Sequence, residues 1–168
     1  DYTCVDSFSG AGGLSLGLKQ AGFDILLSFD NDALCVETQE LNDNYFSHRA
    51  VQASVSNMLE RKVLNEAGIE RGELFLLAGG PPCQGFSVQR IGEDEDERNN
   101  LIYRFSDLVE ECLPQYFFME TVAGITGKRG QEILSGALSE MGKMGYWIHK
   151  KMLDAQYFGV PQSRKRLF

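Results

Sequence analysis

The stretch GGPPCQGFS, residues 79–87, holds a cysteine behind two prolines and ahead of a glycine turn. Two prolines fix φ in succession and remove two backbone donors, so Pro81-Pro82 stiffens the chain immediately before Cys83. A thiol presented in this way is aimed rather than buried. A reactive thiol belongs in a half-exposed site near positive charge or a helix start, where thiolate forms below the free pKa of ~8.5. The other cysteines, Cys4, Cys35 and Cys112, fall inside strand-like or helical runs and read as structural. The four lie far apart with no CxxC and no Cys/His pairing, so neither a zinc site nor a disulfide framework is indicated, and no metal is expected. A reducing cytoplasm fits this cysteine usage.

A second cluster could take a ligand rather than react. The turn Asp6-Ser7-Phe8-Ser9-Gly10-Ala11-Gly12-Gly13 lets backbone approach a bound molecule closely, because glycine lacks a Cβ and tolerates positive φ. It is not GxGxxG, so a dinucleotide pyrophosphate is not specifically required. Asp30, at the end of the next apolar run, is placed to accept hydrogen bonds from a ribose diol. Together they suggest an adenosine-bearing ligand. A tight turn followed by a helix-capping acid explains the same residues without one.

These clusters need elements to position them. Residues 2–8 read as a strand, and Leu14, Leu16, Leu18 and Ala21 as one face of a helix closed by Gly22. Strands follow at 23–30, weakly at 50–54, at 74–80, at 116–120 and at 146–153. Helices fall between them at 32–42, with Asp32 placed to cap it, and at about 57–67, 100–112 and 131–144. The run 74–80 is continuously apolar, as in a strand buried on both faces of a parallel sheet. Strands and helices alternating at this spacing specify a three-layer α/β/α domain, with a doubly wound, mostly parallel sheet and right-handed crossovers. Such sheets bind ligands beyond the carboxyl ends of their strands. SGAGG, Asp30, PPCQ and Glu120 each follow a strand.

The chain has 168 residues, 43% of them hydrophobic, which suits one domain spanning 1–168. It contains neither a long apolar membrane-spanning stretch nor a leader-like segment, and reads as soluble and unsecreted. Both ends read as cuts rather than natural termini. The net charge of −8 disfavours a polyanionic partner at first sight, but the charge is unevenly spread. Residues 1–127 carry 8 Lys/Arg against 21 Asp/Glu, and residues 128–168 carry 8 against 3, so the basic end could face an anion. Solvated surface charge explains Lys128, Arg129, Lys143, Lys150 and Lys151 equally well.

DSFSGAGG, GGPPCQGFS, MET at Met119–Thr121 and QYFGVPQSRKR at Gln156–Arg166 together resemble, in order and spacing, the catalytic half of the DNA (cytosine-5) methyltransferases. The resemblance covers essentially the whole chain. It implies a Rossmann-like S-adenosylmethionine-dependent fold, a methyl donor that leaves as S-adenosylhomocysteine, and double-stranded DNA as substrate. By resemblance Cys83 is the nucleophile that adds to cytosine carbon 6, and Glu120 serves ring nitrogen N3 and the exocyclic amine. Arg164 and Arg166 would contact the flipped base and its phosphate. Gln84 and Ser87 would touch the DNA. Phe8, Ser9, Gly10, Ala11, Gly12 and Gly13 would surround the cofactor, with Asp30 on its ribose, Asn31 by its adenine, and Ser54, Pro82 and Leu101 lining the pocket. A bacterial cytoplasm, a monomer and a cognate restriction endonuclease are tendencies of the same family.

The chain departs from that pattern in four places. Ser54 stands where an acid usually reads the adenine amine, and Thr121 replaces an asparagine that braces the cysteine loop. Phe75 replaces an acid, and Arg98-Asn99-Asn100 the usual Arg-Gly. The target-recognition region and the final motifs are absent. The alternatives are a tRNA cytosine-5 methyltransferase, a catalytically weakened cofactor-binding regulatory module and, most distant, an NAD-dependent oxidoreductase.

Overall fold

Continuous apolarity in the run LFLLAGG has the consequence expected of it. Its strand β4 (Leu76–Gly79) lies inside the sheet, between β1 (Thr3–Ser7) and β5 (Tyr116–Met119), with all four residues buried. The structure, a computed structural model, describes residues 2–82 and 100–168. With β2 (Asp24–Asp30) and β3 (Arg49–Gln52), these strands make a five-stranded parallel sheet in the order β3-β2-β1-β4-β5.

Alternation along the strands feeds two cores. Val5, Leu27, Phe29 and Leu77 point to one side, where α3 (Val55–Arg61), α5 (Leu101–Cys112) and α6 (Lys128–Lys143) pack. Cys4, Ile25, Leu76 and Ala78 point to the other, against Leu14 and Leu18 of α1 (Gly13–Gln20). In α5 the buried set Ile102, Phe105, Leu108, Val109 and Cys112 follows the three-to-four spacing of a one-faced helix, and the Asn100 side chain caps it by accepting from Ile102 N–H at 3.0 Å. Helix α2 (Ala33–Glu40) is capped by Asp32, as the sequence suggests, through Leu34 N–H at 2.9 Å.

Four expectations change. The single helix over 57–67 is two, α3 and α4 (Val63–Ala67), because Lys62 adopts φ 58°, ψ 99°, which no helix accommodates. Strand β3 stops at Gln52, and Ser54 becomes the N-cap of α3. The strand expected over 146–153 shortens to β7 (Met152–Asp154): Tyr146 packs on the core and donates its hydroxyl to Pro114 O at 2.6 Å, while Trp147 is fully exposed. An unforeseen strand, β8 (Lys165–Leu167), runs antiparallel between β7 and β6 (Thr121–Val122). Three residues, two of them cationic, carry too little periodicity to announce a strand. The five-stranded parallel sheet is thus accompanied by a separate three-stranded antiparallel sheet, β6-β8-β7.

Strands β1 and β4 approach closely at their carboxyl ends, where the Ser7 hydroxyl donates to Ala78 O at 2.9 Å. A Cβ on Gly79 would lie against Ser7 Oγ, 2.9 Å from Ser7 O and 3.0 Å from the Phe105 ring. Gly79→Ala should therefore destabilise the domain by about 2 kcal/mol, as overpacking of a dense interior does. The check is the urea unfolding midpoint, and an unchanged midpoint would show that this approach tolerates a side chain.

Candidate active site

The chain leaves β1 through a turn that ordinary residues resist. Phe8 is held at φ 54°, a left-handed value uncommon for a bulky side chain, and Gly10 and Gly12 follow at φ 53° and 90°. Ser9 N–H donates to Phe29 O at 3.1 Å and Gly12 N–H to Ser9 O at 2.9 Å, folding the turn over the end of β2. Gly10 N–H then reaches Asp30 Oδ2 at 2.8 Å, and Asp32 N–H donates to Asp30 Oδ1 at 3.0 Å. The carboxylate of Asp30 is thereby oriented by two backbone donors while retaining lone pairs for a third partner. Asp32, not Asp30, caps the following helix, so the capping explanation of Asp30 does not hold.

Beyond these strand ends lies a cavity of about 300 Å³. Six of the residues singled out from sequence line it: Phe8, Asp30, Asn31, Ser54, Pro82 and Leu101. Gly80 of the GGPPCQGFS motif, with Phe29 and Val55, completes much of the wall, and nothing in the sequence marked the latter two. A carboxylate at the rim with apolar and aromatic walls suits a ribose joined to a flat base, the chemistry of an adenosine-bearing cofactor.

The rest of the turn supports the cavity without lining it. Ser9 is buried and accepts from Gln39 Nε2 at 3.0 Å. A Cβ on Gly12 would strike the Phe46 ring, so that glycine serves helix and loop packing. Gly13 opens α1, and Ala11 is exposed. Ser54 reaches the cavity, but its hydroxyl accepts from Asn57 N–H at 3.1 Å and meets Asn57 Oδ1 at 2.8 Å. Its polar capacity is largely taken by capping α3.

Glu120 follows β5 on the same rim. Its Oε1 accepts from Arg166 Nε at 2.9 Å, with Arg164 Nη2 at 3.9 Å. Its other oxygen lies over Gly80, where a Cβ would stand 3.2 Å from Oε2. The antiparallel pairing of Val122 with Arg166 is what brings the arginine alongside. Both partners are about one-quarter exposed, so the pair orients the carboxylate more than it stabilises the fold. Asp154, which sequence reasoning missed, ties down the segment carrying these arginines. It is buried, and it accepts from Arg164 N–H at 3.0 Å and Gln156 Nε2 at 2.9 Å. Its only sequence signal was an acid following an apolar pair. Thr121 Oγ1 is buried with no partner among the described residues.

Cys83, Gln84 and Ser87 lie outside the described residues. Of the other thiols, Cys4 and Cys112 are fully buried, as the sequence suggests. Burial pushes Cys4 far up and Cys112 up to about 12, with Glu111 adding to the latter. Cys35 is also raised, by desolvation and then by Asp32 and Asp30. None of these three is activated. Among the described residues, no group of three His, Cys, Asp or Glu could hold a metal, and no helix is long and apolar enough to cross a membrane.

The family model for C-5 cytosine-specific DNA methylase matches residues 2–168. Type II methyltransferase M.HindV of Haemophilus influenzae is 37% identical over 163 residues, covering 97% of this chain and 50% of that protein. Type II methyltransferase M.AgeI of Thalassovita gelatinovora is 34% identical over 98% of this chain and 38% of its own length. The chain thus spans half or less of these two relatives. Among solved structures, a DNA modification methyltransferase described as encoded within an E. coli prophage superposes with a TM-score of 0.77 at 30% identity, over 99% of this chain and 45% of that one. The S. pombe Dnmt2 methyltransferase, at 23% identity and a TM-score of 0.74 over 99% of this chain and 49% of that one, shares the fold.

Behind the turn, Asp6 is wholly buried. Ser15 Oγ donates to its Oδ2 at 2.6 Å, and Oδ1 has no partner among the described residues. Burial raises its pKa from 3.8 to about 6; the Ser15 hydrogen bonds oppose the rise and the charge of Asp30 adds to it. A folded-state pKa above the unfolded value means that the folded protein binds this proton more tightly. The stability it contributes is full below about pH 4 and is lost as pH rises through about 6. Between pH 4 and 7.5, wild-type unfolding free energy should fall by about 2 kcal/mol more than that of Asp6→Asn. Urea titrations of both proteins at the two pH values measure the difference, and parallel profiles would contradict an acid protonated by burial.

Proposed function

We propose, on the premise that this chain belongs to the C-5 cytosine-specific DNA methylase family, that it is the cofactor-binding and catalytic part of a DNA (cytosine-5) methyltransferase. The observation that carries the reading is the shared rim. The Asp30-walled cavity and the arginine-braced Glu120 carboxylate meet at Gly80, three residues before Cys83 in the chain. S-adenosylmethionine, held by Asp30, Asn31, Phe8, Pro82 and Leu101, would supply an electrophilic methyl group and leave as S-adenosylhomocysteine.

The chain's own residues supply the remainder. Carbon 5 of cytosine is a poor nucleophile, so Cys83 thiolate adds to carbon 6, forming a sulfur–carbon bond while the ring π electrons move toward N3. Glu120 delivers a proton to N3, leaving an enamine whose carbon 5 is nucleophilic, and it accepts from the exocyclic amine, which thymine lacks. After methylation, a water acting as base takes the carbon 5 proton, the cysteine leaves as thiolate and N3 returns its proton to Glu120, which restores the aromatic ring. Such chemistry requires the base to be swung out of the duplex. Arg166 holds the Glu120 carboxylate, and Arg164, exposed beside it, is free to meet the target phosphate or base.

The double-stranded DNA substrate, action as a monomer in the bacterial cytoplasm and pairing with a restriction endonuclease form part of the same proposal. The match to the C-5 cytosine-specific DNA methylase family and the similarity to M.HindV and M.AgeI, both Type II methyltransferases, support DNA as the substrate.

A duplex carrying 5-fluorocytosine, incubated with the full-length protein and S-adenosylmethionine, should give a covalent complex that survives denaturation and disappears in Cys83→Ser. Persistence of that complex in the serine variant would remove Cys83 as nucleophile. Glu120→Gln should lower kcat on duplex DNA by about 10²-fold or more, as loss of a positioned proton donor does. Full turnover in that variant would dismiss the carboxyl from proton transfer.

A further inference from the structure

Gln39 is fully buried, a rare setting for glutamine, and its carboxamide uses its whole hydrogen-bonding capacity. Nε2 donates to Gly10 O at 2.7 Å and to Ser9 Oγ at 3.0 Å. Oε1 accepts from Ser28 Oγ at 2.8 Å and lies 3.3 Å from His48 Nε2. The network orients itself. Ser28 spends its one proton on Gln39, so His48 Nε2, 3.0 Å from Ser28 Oγ, must be the donor. Consistently, His48 Nδ1 is buried without a partner among the described residues, and burial holds the imidazole pKa below its usual value. Turning the amide over would face its NH₂ toward two donors and its oxygen toward the Gly10 carbonyl, so only one orientation is possible.

We propose that Gln39 is a positioning residue for the cofactor: by gripping the Ser9 hydroxyl and the Gly10 carbonyl it brackets the Ser9–Gly10 peptide, whose N–H orients Asp30. Gly10 sits at φ 53°, where glycine can readily rotate its peptide, and its N–H reaches Asp30 Oδ2 at 2.8 Å. Holding the Ser9 hydroxyl before that peptide and the Gly10 carbonyl after it limits its rotation and so sets the direction of the N–H. Gln39 Cγ also stands 3.1 Å from where a Gly12 Cβ would lie, so the glutamine and the turn pack as one block. Neither Gln39, Ser28 nor His48 lines the cavity, and each acts on the ligand only through the turn. The inference rests on the reading that this cavity takes S-adenosylmethionine.

The test compares Gln39→Glu, which keeps size and acceptors but removes both donors, with Gln39→Met, which keeps volume alone, in the full-length protein. S-adenosylhomocysteine affinity by calorimetry, ligand-free melting temperature and steady-state kinetics are measured on each. Both variants should bind S-adenosylhomocysteine about tenfold or more weakly, the cost of orphaning a buried carbonyl and loosening Asp30. KM for S-adenosylmethionine should rise in parallel, with KM for DNA unchanged. A merely structural glutamine would lower the melting temperature and leave the affinity of the folded fraction as it was, and that result overturns the proposal. If wild type itself fails to bind S-adenosylhomocysteine, the reading of the cavity falls and the proposal with it. Should both variants unfold, Ser28→Ala decides, since it loosens the amide without touching Gly10. A Kd raised about threefold supports the proposal and an unchanged Kd overturns it.

Discussion

Two neighbouring strand ends govern this molecule. Strands β1 and β4 come together so closely that Ser7 can hydrogen-bond across to Ala78, and only glycine fits at position 79. That approach brings the glycine turn after β1 and the proline segment after β4 to the same rim. Asp30 arrives there because β2 pairs with the other side of β1, and Glu120 because β5 pairs with the other side of β4. The site is therefore a consequence of parallel pairing, which sends all these strand ends to one edge of the sheet.

The rim is divided electrostatically. On the β1–β2 side, acids dominate, and Asp6, buried behind the turn, is driven toward its neutral form partly by the charge of Asp30. On the β5 side the acid is answered by arginines carried in on an antiparallel strand. One carboxylate is thus oriented by backbone amides and keeps lone pairs for neutral hydroxyl groups, while the other is held by a guanidinium. The chain's uneven charge, acidic in its first three-quarters and basic at its end, is the same division seen along the sequence.

Polar groups buried inside the support are numerous for so small a domain, and most are matched. Gln39, Ser28 and Ser9 form one closed set, and Asp154 with Gln156 and the Arg164 amide another. Satisfied networks of this kind specify a single arrangement, since any shift leaves a donor or acceptor in a low-dielectric interior. Two of the unmatched atoms among the described residues, Asp6 Oδ1 and Thr121 Oγ1, stand on strands that lead directly into the two halves of the rim. For Asp6 this burial pushes the carboxyl pKa up to about 6.

By itself the sequence determined the alternation of strands and helices, the central place of the run around Leu77, the capping by Asp32, and the fact that each chemical cluster closes a strand. Those features are local: hydrophobic period, proline and glycine geometry and side-chain capping act within a few residues, so they are legible in one dimension. Only the tertiary structure decided that Lys62 breaks a helix, that Arg166 rather than Arg164 grips Glu120, and that Gln39 and Asp154 hold the segments around the site. Each of these depends on groups 9 to 46 residues apart, or on a backbone angle imposed by packing, and no periodicity records such meetings. Burial then finished what contact began, since the proton on Asp6 depends on the absence of water around it, a property that belongs to the folded chain alone.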